Sequence, residues 1–351
     1  MPTFEPEKLE EIAYHIFRAA GTPDESARTV AEHLVDANLT GHDSHGVIRI
    51  MQYLENIKEG RLFPDAIPRV VKETPTTAQV DGQRTFGQVV GKFAAEVAID
   101  KARRSSISIV SMRNLGHLGR LGTYPEMCAE AGMASIMYCG SGGQYVSQVP
   151  FGGREPRLST NPIAMACPSD MEGPILLDFA TSAAAEGKLR VYRARGDRLP
   201  QGWILDSRGK PSTDPNDFYN GGALLPVGAS VGHKGYALAY LVDLFGSILP
   251  GGGYAGEIEA PLSNGGLIIV FDPAVFLPAG VMNSRVRKMT DYMKSSPLAE
   301  GFDKILYPGE KEAMTRQERR TRGIEVEDAT WKSIRSAIHE YGLEEKLGPL
   351  P

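Results

Sequence analysis

The sequence contains few cysteines and no long apolar run. Its three cysteines among 351 residues are Cys128, Cys139 and Cys167, and no two of them form a CxxC pair. An odd and dispersed set argues against both a disulfide framework and a thiolate zinc site. No apolar run reaches the roughly 18 residues that a membrane-spanning helix needs. The N-terminus also lacks the basic and apolar regions of a signal peptide. We therefore expect a cytoplasmic protein with no membrane partner.

A surplus of positive charge is also missing. Aspartate and glutamate number 43 against 38 lysines and arginines, which gives a net charge of −5 with neutral histidines. This balance disfavours nucleic acid as a partner. Hydrophobic residues make up 42% of the chain and charged residues 23%, as in ordinary globular proteins. At about 150 residues per domain, the length predicts roughly two domains.

Apolar periodicity predicts helices at both ends of the chain and a β-rich centre. One helix begins at a capping box over residues 22–25, with Thr22 as the cap, and ends near Asn38; another begins near Ser44 and ends at Gly60. Further helices are predicted over about 87–104, 122–131, 182–194 and 234–249. Strands are predicted over 67–71, 77–80, 107–112, 134–139, 163–167, 175–179, 203–206 and 267–271.

Several of these strands follow one another with no helix between them. Much of the sheet should therefore be antiparallel or mixed, and the predicted fold class is α+β rather than a doubly wound parallel sheet. We expect a central α+β domain over 74–284. The flanking segments 1–73 and 285–351 are expected to form one helical domain built from both termini.

Two glycine-rich segments invite a comparison with nucleotide-binding loops. The run GGGYAG at 251–256 satisfies GxGxxG, but it follows an apolar helix rather than a strand, so it predicts a plain loop. The run NLGHLGRLG at 114–122 lies between a strand and a helix, in what we predict to be the one clear βαβ unit. Such a loop can offer backbone N–H groups to a phosphate, and His117 would lie at the carboxyl edge of the sheet. An ordinary connecting loop with an exposed histidine explains the same pattern.

A second histidine lies in the segment HDSHGVIR, which begins at His42. If Ser44 caps the following helix, Arg49 projects from the same side as His45, one turn further on. That pair suits the reduction of a 2-oxo acid, because a guanidinium binds the carboxylate while an imidazole donates a proton to the new alkoxide. The alternatives are a metal held by His42 and His45 together with His117 or His233, and a capping serine beside solvated histidines.

His233 and Lys234 open an apolar helix in the sequence GHKGY. A lysine at a helix N-terminus opposes the helix dipole, so its placement favours a nearby anion such as a cofactor phosphate. The alternative is a lysine that points into water. The segment STNP at 159–162, which includes Thr160 and Asn161, and the segment LDFATS at 177–182 lie at strand edges, where spacing alone favours a structural turn.

In this order, the segments resemble the malate/L-lactate dehydrogenase family of non-Rossmann NAD(P)-dependent oxidoreductases. The matching pieces are DSHGV at 43–47 with Arg49 and Tyr53, GHLG at 116–119, TNP at 160–162, DFATS at 178–182, GHKGY at 232–236 and YPGE at 307–310. The strings ANLTGHD at 37–43 and HLGRLG at 117–122 look most like the hydroxycarboxylate dehydrogenase B branch of that family.

This resemblance implies a seven-stranded, largely antiparallel sheet, a helical domain from both termini and a homodimer. It implies that His45 is the proton donor, that Ser44 orients it, and that Arg49 binds the substrate carboxylate. In the ureidoglycolate branch the histidine matching His117 has the acid/base role. Which of the two histidines moves the proton is therefore open.

The resemblance also implies a nicotinamide cofactor and a small-molecule substrate. We expect NAD, with NADP as the alternative, because no basic residue can be tied to a 2′-phosphate. Thr160 and Asn161 are expected to bind substrate beside Arg49. The cofactor is expected to lie along Gly119, Arg120, Leu121, Ser141, Leu176, Leu177, Asp178, Phe179, Ala180, His233, Lys234, Asn264, Pro308, Gly309 and Glu310.

The activity implied is hydride transfer between the cofactor and a 2-oxo acid/2-hydroxy acid pair of the malate, lactate or aromatic type. Reduction of a cyclic imino 2-carboxylate is the nearer alternative, since it can use the same cofactor and arginine. A metal-dependent hydrolase is the remote alternative.

Overall fold

The computed structural model describes residues 1–143, 146–257 and 263–350. Its strands are β1 Thr3–Phe4, β2 Arg69–Glu73, β3 Thr77–Asp81, β4 Ile107–Leu115, β5 Ala134–Gly142, β6 Pro162–Cys167, β7 Ile175–Ala180, β8 Ile204–Leu205, β9 Pro211–Ser212, β10 Ala223–Leu224, β11 Ser263–Phe271 and β12 Ile324–Glu325. Its α-helices are α1 Pro6–Ala19, α2 Asp24–Leu39, α3 Ile50–Lys58, α4 Gly87–Ser105, α5 Thr123–Glu130, α6 Glu186–Arg195, α7 Pro215–Tyr219, α8 Gly232–Asp243, α9 Ala279–Lys294, α10 Glu310–Arg322, α11 Asp328–Glu340 and α12 Glu344–Leu347. Shorter 3-10 turns cover Asp43–His45, Val47–Arg49, Ala229–Val231 and Pro273–Val275, and a π-helical segment covers Leu244–Ile248.

A seven-stranded sheet occupies the centre, with the strand order β2-β3-β4-β11-β5-β6-β7. Its neighbouring strands are antiparallel except β3 and β4, which run parallel because α4 crosses over between them. The sheet is therefore mixed, which corrects the expected largely antiparallel sheet at this one pair. The expected βαβ unit is corrected too. β11 lies between β4 and β5, antiparallel to both, so α4 rather than α5 joins two parallel neighbours.

Two apolar cores support this sheet and the helices around it. The first lies between the sheet and α4 with α5, and contains Val90, Ala94, Val110, Met137 and Ile268. The second joins both ends of the chain and contains Phe4, Leu9, Leu34, Tyr53, Trp331 and Ile338. Strand β1 also pairs with β12, so the two termini share backbone as well as side-chain contacts. The domain boundaries at 73/74 and 284/285 remain predictions.

Two predicted helix starts are wrong. α2 begins at Asp24 after Pro23 with no side-chain cap, so Thr22 does not form the predicted capping box. The predicted helix from Ser44 begins instead at Ile50, because Gly46 is extended and interrupts it. The side chain of Asn38 lies beside this interruption: its Oδ1 accepts the N–H of Val47, and a Cβ at position 46 would overlap its amide group.

The remaining elements frame the sheet. Strands β10, β8 and β9 form a small antiparallel sheet, which shares an apolar cluster with α6. The run 251–256 lies in turns after α8 and its π-helical extension, as the sequence predicts. Within the part of the chain that the structure describes, no helix is both long and apolar enough to cross a membrane.

Candidate active site

The turn that carries His45 is held between α2 and α10. Asn38 donates from Nδ2 to Asp43 Oδ1 at 2.7 Å and accepts the N–H of Val47 on Oδ1 at 2.9 Å. Arg319 donates to both carboxylate oxygens of Asp43, at 2.6 and 3.0 Å. These bonds fix the backbone on both sides of His45.

Ser44 orients His45 instead of capping a helix. Its Oγ lies 3.0 Å from Nδ1 of His45, and none of the helical turns near it has a side-chain cap. Arg49 donates from Nε to the carbonyl of Ser44 and from Nη1 to Oε1 of Gln52, both at 2.6 Å. The predicted closeness of His45 and Arg49 is thus achieved through a pair of 3-10 turns rather than along one helix face.

His117 follows β4 and stacks on His45. The two rings lie 5.5 Å apart between centroids with an interplanar angle of 16°. The hydroxyl of Tyr53 is 2.8 Å from His117 Nδ1, and Gln88 donates from Nε2 to the same hydroxyl at 2.7 Å. Sequence reasoning did not find Gln88. The neighbouring Gly87 also lies against this histidine, since a Cβ there would overlap the carbonyl of His117.

Both imidazoles are neutral at neutral pH. Burial, followed by the positive charge of Arg49, lowers the pKa of His45 to about 3. The same two causes hold the pKa of His117 well below its usual value. Each ring has its Nδ1 occupied, and the described residues offer no hydrogen-bond partner to Nε2 of either ring. The site therefore presents two neutral imidazoles beside a guanidinium. An imidazole in such a site can exchange a proton with an oxygen of a bound anion.

Thr160 and Asn161 lie immediately before β6. The side chain of Asn161 is buried and donates from Nδ2 to the carbonyl of Ala239 at 3.0 Å, which fastens α8 to the sheet. The hydroxyl of Thr181 donates to the carbonyls of Thr160 and Asn161, at 3.1 and 2.9 Å. The side chain of Asn161 is thus committed inside the protein, and the assignment of both residues to substrate remains a prediction.

The loop after His117 is held by His33 of α2. Gly119 has φ of +74°, and a Cβ there would overlap the ring of His33. The next N–H, that of Arg120, donates to Nε2 of His33 at 3.0 Å. Leu121 is buried, with 3% of its surface exposed. Glycine is needed at 119 because the positive φ and the close histidine both oppose a side chain.

Arg120 is part of a buried ion-pair network. Its side chain is 0% exposed and donates to Asp36 at 3.1 Å and to Glu126 at 2.8 Å. Arg316 of α10 donates to the same two carboxylates, at 3.0 and 2.7 Å. The backbone N–H of Arg120 and its Nη1 are bound to protein groups. Its Nε and Nη2 atoms are buried with no hydrogen-bond partner among the described residues. The assignment of Arg120 to a cofactor remains a prediction.

Other predicted cofactor residues lie on strands β5, β11 and β7 of the central sheet. Ser141 and Asn264 are paired across β5 and β11, and Asn264 donates to the Ser141 hydroxyl at 2.9 Å. On the edge strand β7, Asp178 accepts the N–H of Gly122 at 2.7 Å. Burial raises the pKa of this carboxyl. The remaining predicted residues of β7 are Leu176, Leu177, Phe179 and Ala180.

The segment before α10 packs against the beginning of β7. Leu176 donates its N–H to the carbonyl of Pro308 at 3.0 Å. Gly309 has φ of +95°, and a Cβ there would lie 2.7 Å from the carbonyl oxygen of Pro174. Glu310 accepts from Lys294 Nζ at 2.6 Å. Pro308, Gly309 and Glu310 therefore stand next to the predicted cofactor residues of β7.

His233 and Lys234 are exposed at the N-terminus of α8. The ring of His233 lies 5.6 Å from that of Phe151, and no described residue forms an ion pair with Lys234. The helix N-terminus has no side-chain cap, so its N–H groups and the lysine are free to bind an anion. This donor set fits a dinucleotide phosphate. No hydrogen bond or ring contact among the described residues joins these two side chains to the stacked histidines.

The described residues do not provide a set of ligands for the metal alternative. Across 1–143, 146–257 and 263–350, no group of three or more histidine, cysteine, aspartate or glutamate side chains could hold a metal ion. His42, which that alternative requires, has its Nδ1 3.3 Å from the hydroxyl of Thr40.

Comparison with known proteins identifies the class. Residues 4–335 match the malate/L-lactate dehydrogenase family. The chain belongs to this family, which confirms the resemblance inferred from its ordered motifs.

Named relatives cover nearly the whole chain. It is 37% identical to malate dehydrogenase of Pyrococcus abyssi over 96% of this chain and 94% of the relative. It is 35% identical to hydroxycarboxylate dehydrogenase B of Escherichia coli over 98% of this chain and 95% of the relative. The structure of delta1-piperideine-2-carboxylate reductase from Pseudomonas syringae superimposes with a TM-score of 0.84, at 30% identity, over 96% of this chain and 100% of that one.

Proposed function

We propose that the protein is an NAD(P)-dependent oxidoreductase that interconverts 2-oxo acids and 2-hydroxy acids. The observation that carries this proposal is the parallel stack of His45 and His117 beside Arg49. The guanidinium would bind the C1 carboxylate, and an imidazole would exchange a proton with the oxygen on C2. The names of the relatives, malate dehydrogenase and hydroxycarboxylate dehydrogenase B, support the same substrate class.

The low pKa of His45 keeps its ring neutral, so the ring has a free nitrogen for the hydroxyl proton when a 2-hydroxy acid is oxidised. Burial and then the charge of Arg49 depress this pKa, and a carboxylate paired with Arg49 offsets the second cause. Substrate binding therefore raises the pKa of His45 and helps the ring to hold the proton that it receives. In reduction the same proton returns to the oxygen on C2. Ser44 keeps the ring in place through Nδ1 in both directions.

When bound, a nicotinamide dinucleotide supplies the hydride for reduction and accepts it in oxidation. Lys234 and the N–H groups at the start of α8 would bind its phosphates. The other residues that would line it are Gly119, Arg120, Leu121, Ser141, His233, Asn264, those at 176–180 and those at 308–310. We propose NAD as the preferred form.

A homodimer belongs to the same proposal. Large apolar side chains are exposed on α9 and just before it: Phe276 is 78% exposed and Tyr292 is 75% exposed. Exposed apolar surface of this kind supports burial against a second copy. Light scattering should give twice the monomer mass, and a monomer at micromolar concentration would contradict the proposal.

Reduction of a cyclic imino 2-carboxylate is the second candidate function. The likeness to the Pseudomonas syringae reductase favours it, and the same arginine and imidazoles can serve a C=N bond as well as a C=O bond.

The test is loss of near-ultraviolet absorbance from NADH, and separately from NADPH, with purified protein. The panel contains phenylpyruvate, oxaloacetate, pyruvate, glyoxylate, sulfopyruvate and a cyclic imino 2-carboxylate. We expect turnover with a keto acid. Turnover with the imine alone would favour the second candidate. No turnover with any compound, together with no quenching of tryptophan fluorescence by either cofactor, would refute the dehydrogenase proposal.

A further inference from the structure

The hydroxyl of Tyr53 is shared by two partners with different requirements. Gln88 donates its Nε2–H to the phenol oxygen at 2.7 Å, so the oxygen's acceptor capacity is used. The hydroxyl proton is then left to point at Nδ1 of His117, 2.8 Å away. Tyr53 itself is 1% exposed and packed into the core that joins both termini, so this direction is fixed by its surroundings.

This direction sets the tautomer of His117. A neutral imidazole carries its proton on one nitrogen, and the nitrogen that accepts a hydrogen bond is the one without it. Because Nδ1 accepts from Tyr53, the proton lies on Nε2. If Nδ1 carried a proton, its N–H would point at the hydroxyl proton of Tyr53. The Tyr53 oxygen could not accept this N–H, because it already accepts a hydrogen bond from the Gln88 amide.

The partner of His45 places no such limit on that ring. The hydroxyl of Ser44, 3.0 Å from Nδ1, has no other hydrogen-bond partner in the described part of the chain. It can rotate to donate to a bare Nδ1 or to accept from a protonated one. His45 can therefore gain or lose a proton and keep its hydrogen bond, whereas His117 cannot.

On the basis of the proposed function, we propose that Tyr53 and Gln88 are positioning residues that hold His117 as a neutral Nε2–H donor to the substrate carbonyl oxygen. His45 alone then exchanges the proton. In reduction, hydride adds to C2, the C=O π electrons move to oxygen, and protonated His45 gives its proton to that oxygen. His117 keeps its own proton throughout and stabilises the developing negative charge through its hydrogen bond.

The tautomer can be measured without any turnover. In protein labelled with ¹⁵N-histidine, long-range proton–nitrogen correlation distinguishes Nε2–H from Nδ1–H rings, and the loss of one pattern in His117→Asn assigns His117. We expect a single Nε2–H form of His117 from pH 6 to 8, and a mixture with Nδ1–H in Tyr53→Phe. An Nδ1–H or protonated ring in the wild type would overturn the inference. So would an unchanged pattern in Tyr53→Phe.

A matched control distinguishes a change in the tautomer of His117 from a general loss of protein stability. Tyr124 is another buried tyrosine, and its hydroxyl donates to the carbonyl of Leu118 at 2.6 Å. Tyr124→Phe should lower the melting temperature as Tyr53→Phe does, but leave the His117 pattern unchanged.

A second variant, Gln88→Met, removes the amide that donates to the Tyr53 oxygen. Since the Gln88 Oε1 atom is buried without a partner among the described residues, this variant should fold. It should also give a mixed tautomer.

Kinetics then test the role in the reaction. Tyr53→Phe should lower kcat roughly 10- to 100-fold while KM changes by no more than about twofold, because the donor to the carbonyl oxygen is misdirected and Arg49 is not. Equal loss in Tyr124→Phe would contradict a specific role. If the wild type turns over no substrate but shows the Nε2–H ring, the proposed function fails and the positioning of His117 stands. If the wild type is active and Tyr53→Phe keeps both kcat and tautomer, the positioning inference fails alone.

Discussion

Replacing Arg49 with methionine separates two effects of one guanidinium. The side chain is held by the carbonyl of Ser44 and by Gln52 through Nε and Nη1, so Nη2 is the group left for a carboxylate. A hydrogen bond to a charged group contributes about 1.5–3 kcal/mol. At about 1.4 kcal/mol for each factor of ten, kcat/KM should fall roughly 10- to 150-fold in Arg49→Met.

The second effect is on protonation. After burial, Arg49 is the largest cause of the low pKa of His45, which is about 3. Removing a positive neighbour favours the imidazolium, so the pKa of His45 should rise; burial remains, so it should stay below its ordinary value. Oxidation of a 2-hydroxy acid needs neutral His45, and its kcat/KM falls as pH drops through this pKa. The acid limb of the profile should therefore move to higher pH in Arg49→Met.

The assay is steady-state oxidation of the best hydroxy acid between about pH 2.5 and 9, a range that includes the wild-type pKa of His45, about 3. Arg61→Met is the control, because Arg61 is exposed and its guanidinium binds the Asn56 side chain at 2.9 and 3.1 Å. It should match the wild type in both readouts. If Arg49→Met keeps the wild-type kcat/KM and an unmoved acid limb, Arg49 does not belong to the site.

Three further changes test the site and its support. His45→Asn should lower kcat by about 10²–10⁴-fold, whereas His117→Asn should lose less because its amide can still donate; equal losses in steady-state assays would contradict the division of roles. Gly46→Ala should lower the free energy of unfolding by about 1–3 kcal/mol, since the methyl group displaces the Asn38 amide; an unchanged urea midpoint would contradict this. Arg120→Met should lower the free energy of unfolding by about 1.5–3 kcal/mol, because Glu126 and the partly exposed Asp36 lose one charged hydrogen bond each and keep their pairs with Arg316; thermal melting with no loss would show that Arg120 is dispensable to the network.

The sequence predicts best those parts of the fold that depend on short stretches of chain. It correctly predicts that His117 follows the carboxyl end of β4, because the strand, turn and helix signals around it all lie within about 25 residues. The order of strands is a different matter. That β11 inserts between β4 and β5 depends on a strand more than a hundred residues further along the chain.

The site shows the same division. The nearness of His45 and Arg49 is predictable because four residues separate them. The helix expected from Ser44 is interrupted at Gly46, and the side chain that lies beside this interruption, that of Asn38, comes from α2. The pairing of Tyr53 with His117 joins residues 64 positions apart, and only the packing of α3 near the start of α4 decides it.

The two arginines of α10 have a consequence for the order in which the protein becomes active. Arg319 fastens the turn before His45, and Arg316 completes the ion pairs around the loop after His117. A chain emerging from the ribosome thus contains both stacked histidines long before it contains the helix that fixes the backbone around them. Activity should then begin only near completion of synthesis, and any truncation before Arg316 should yield chains whose histidines are present but unaligned.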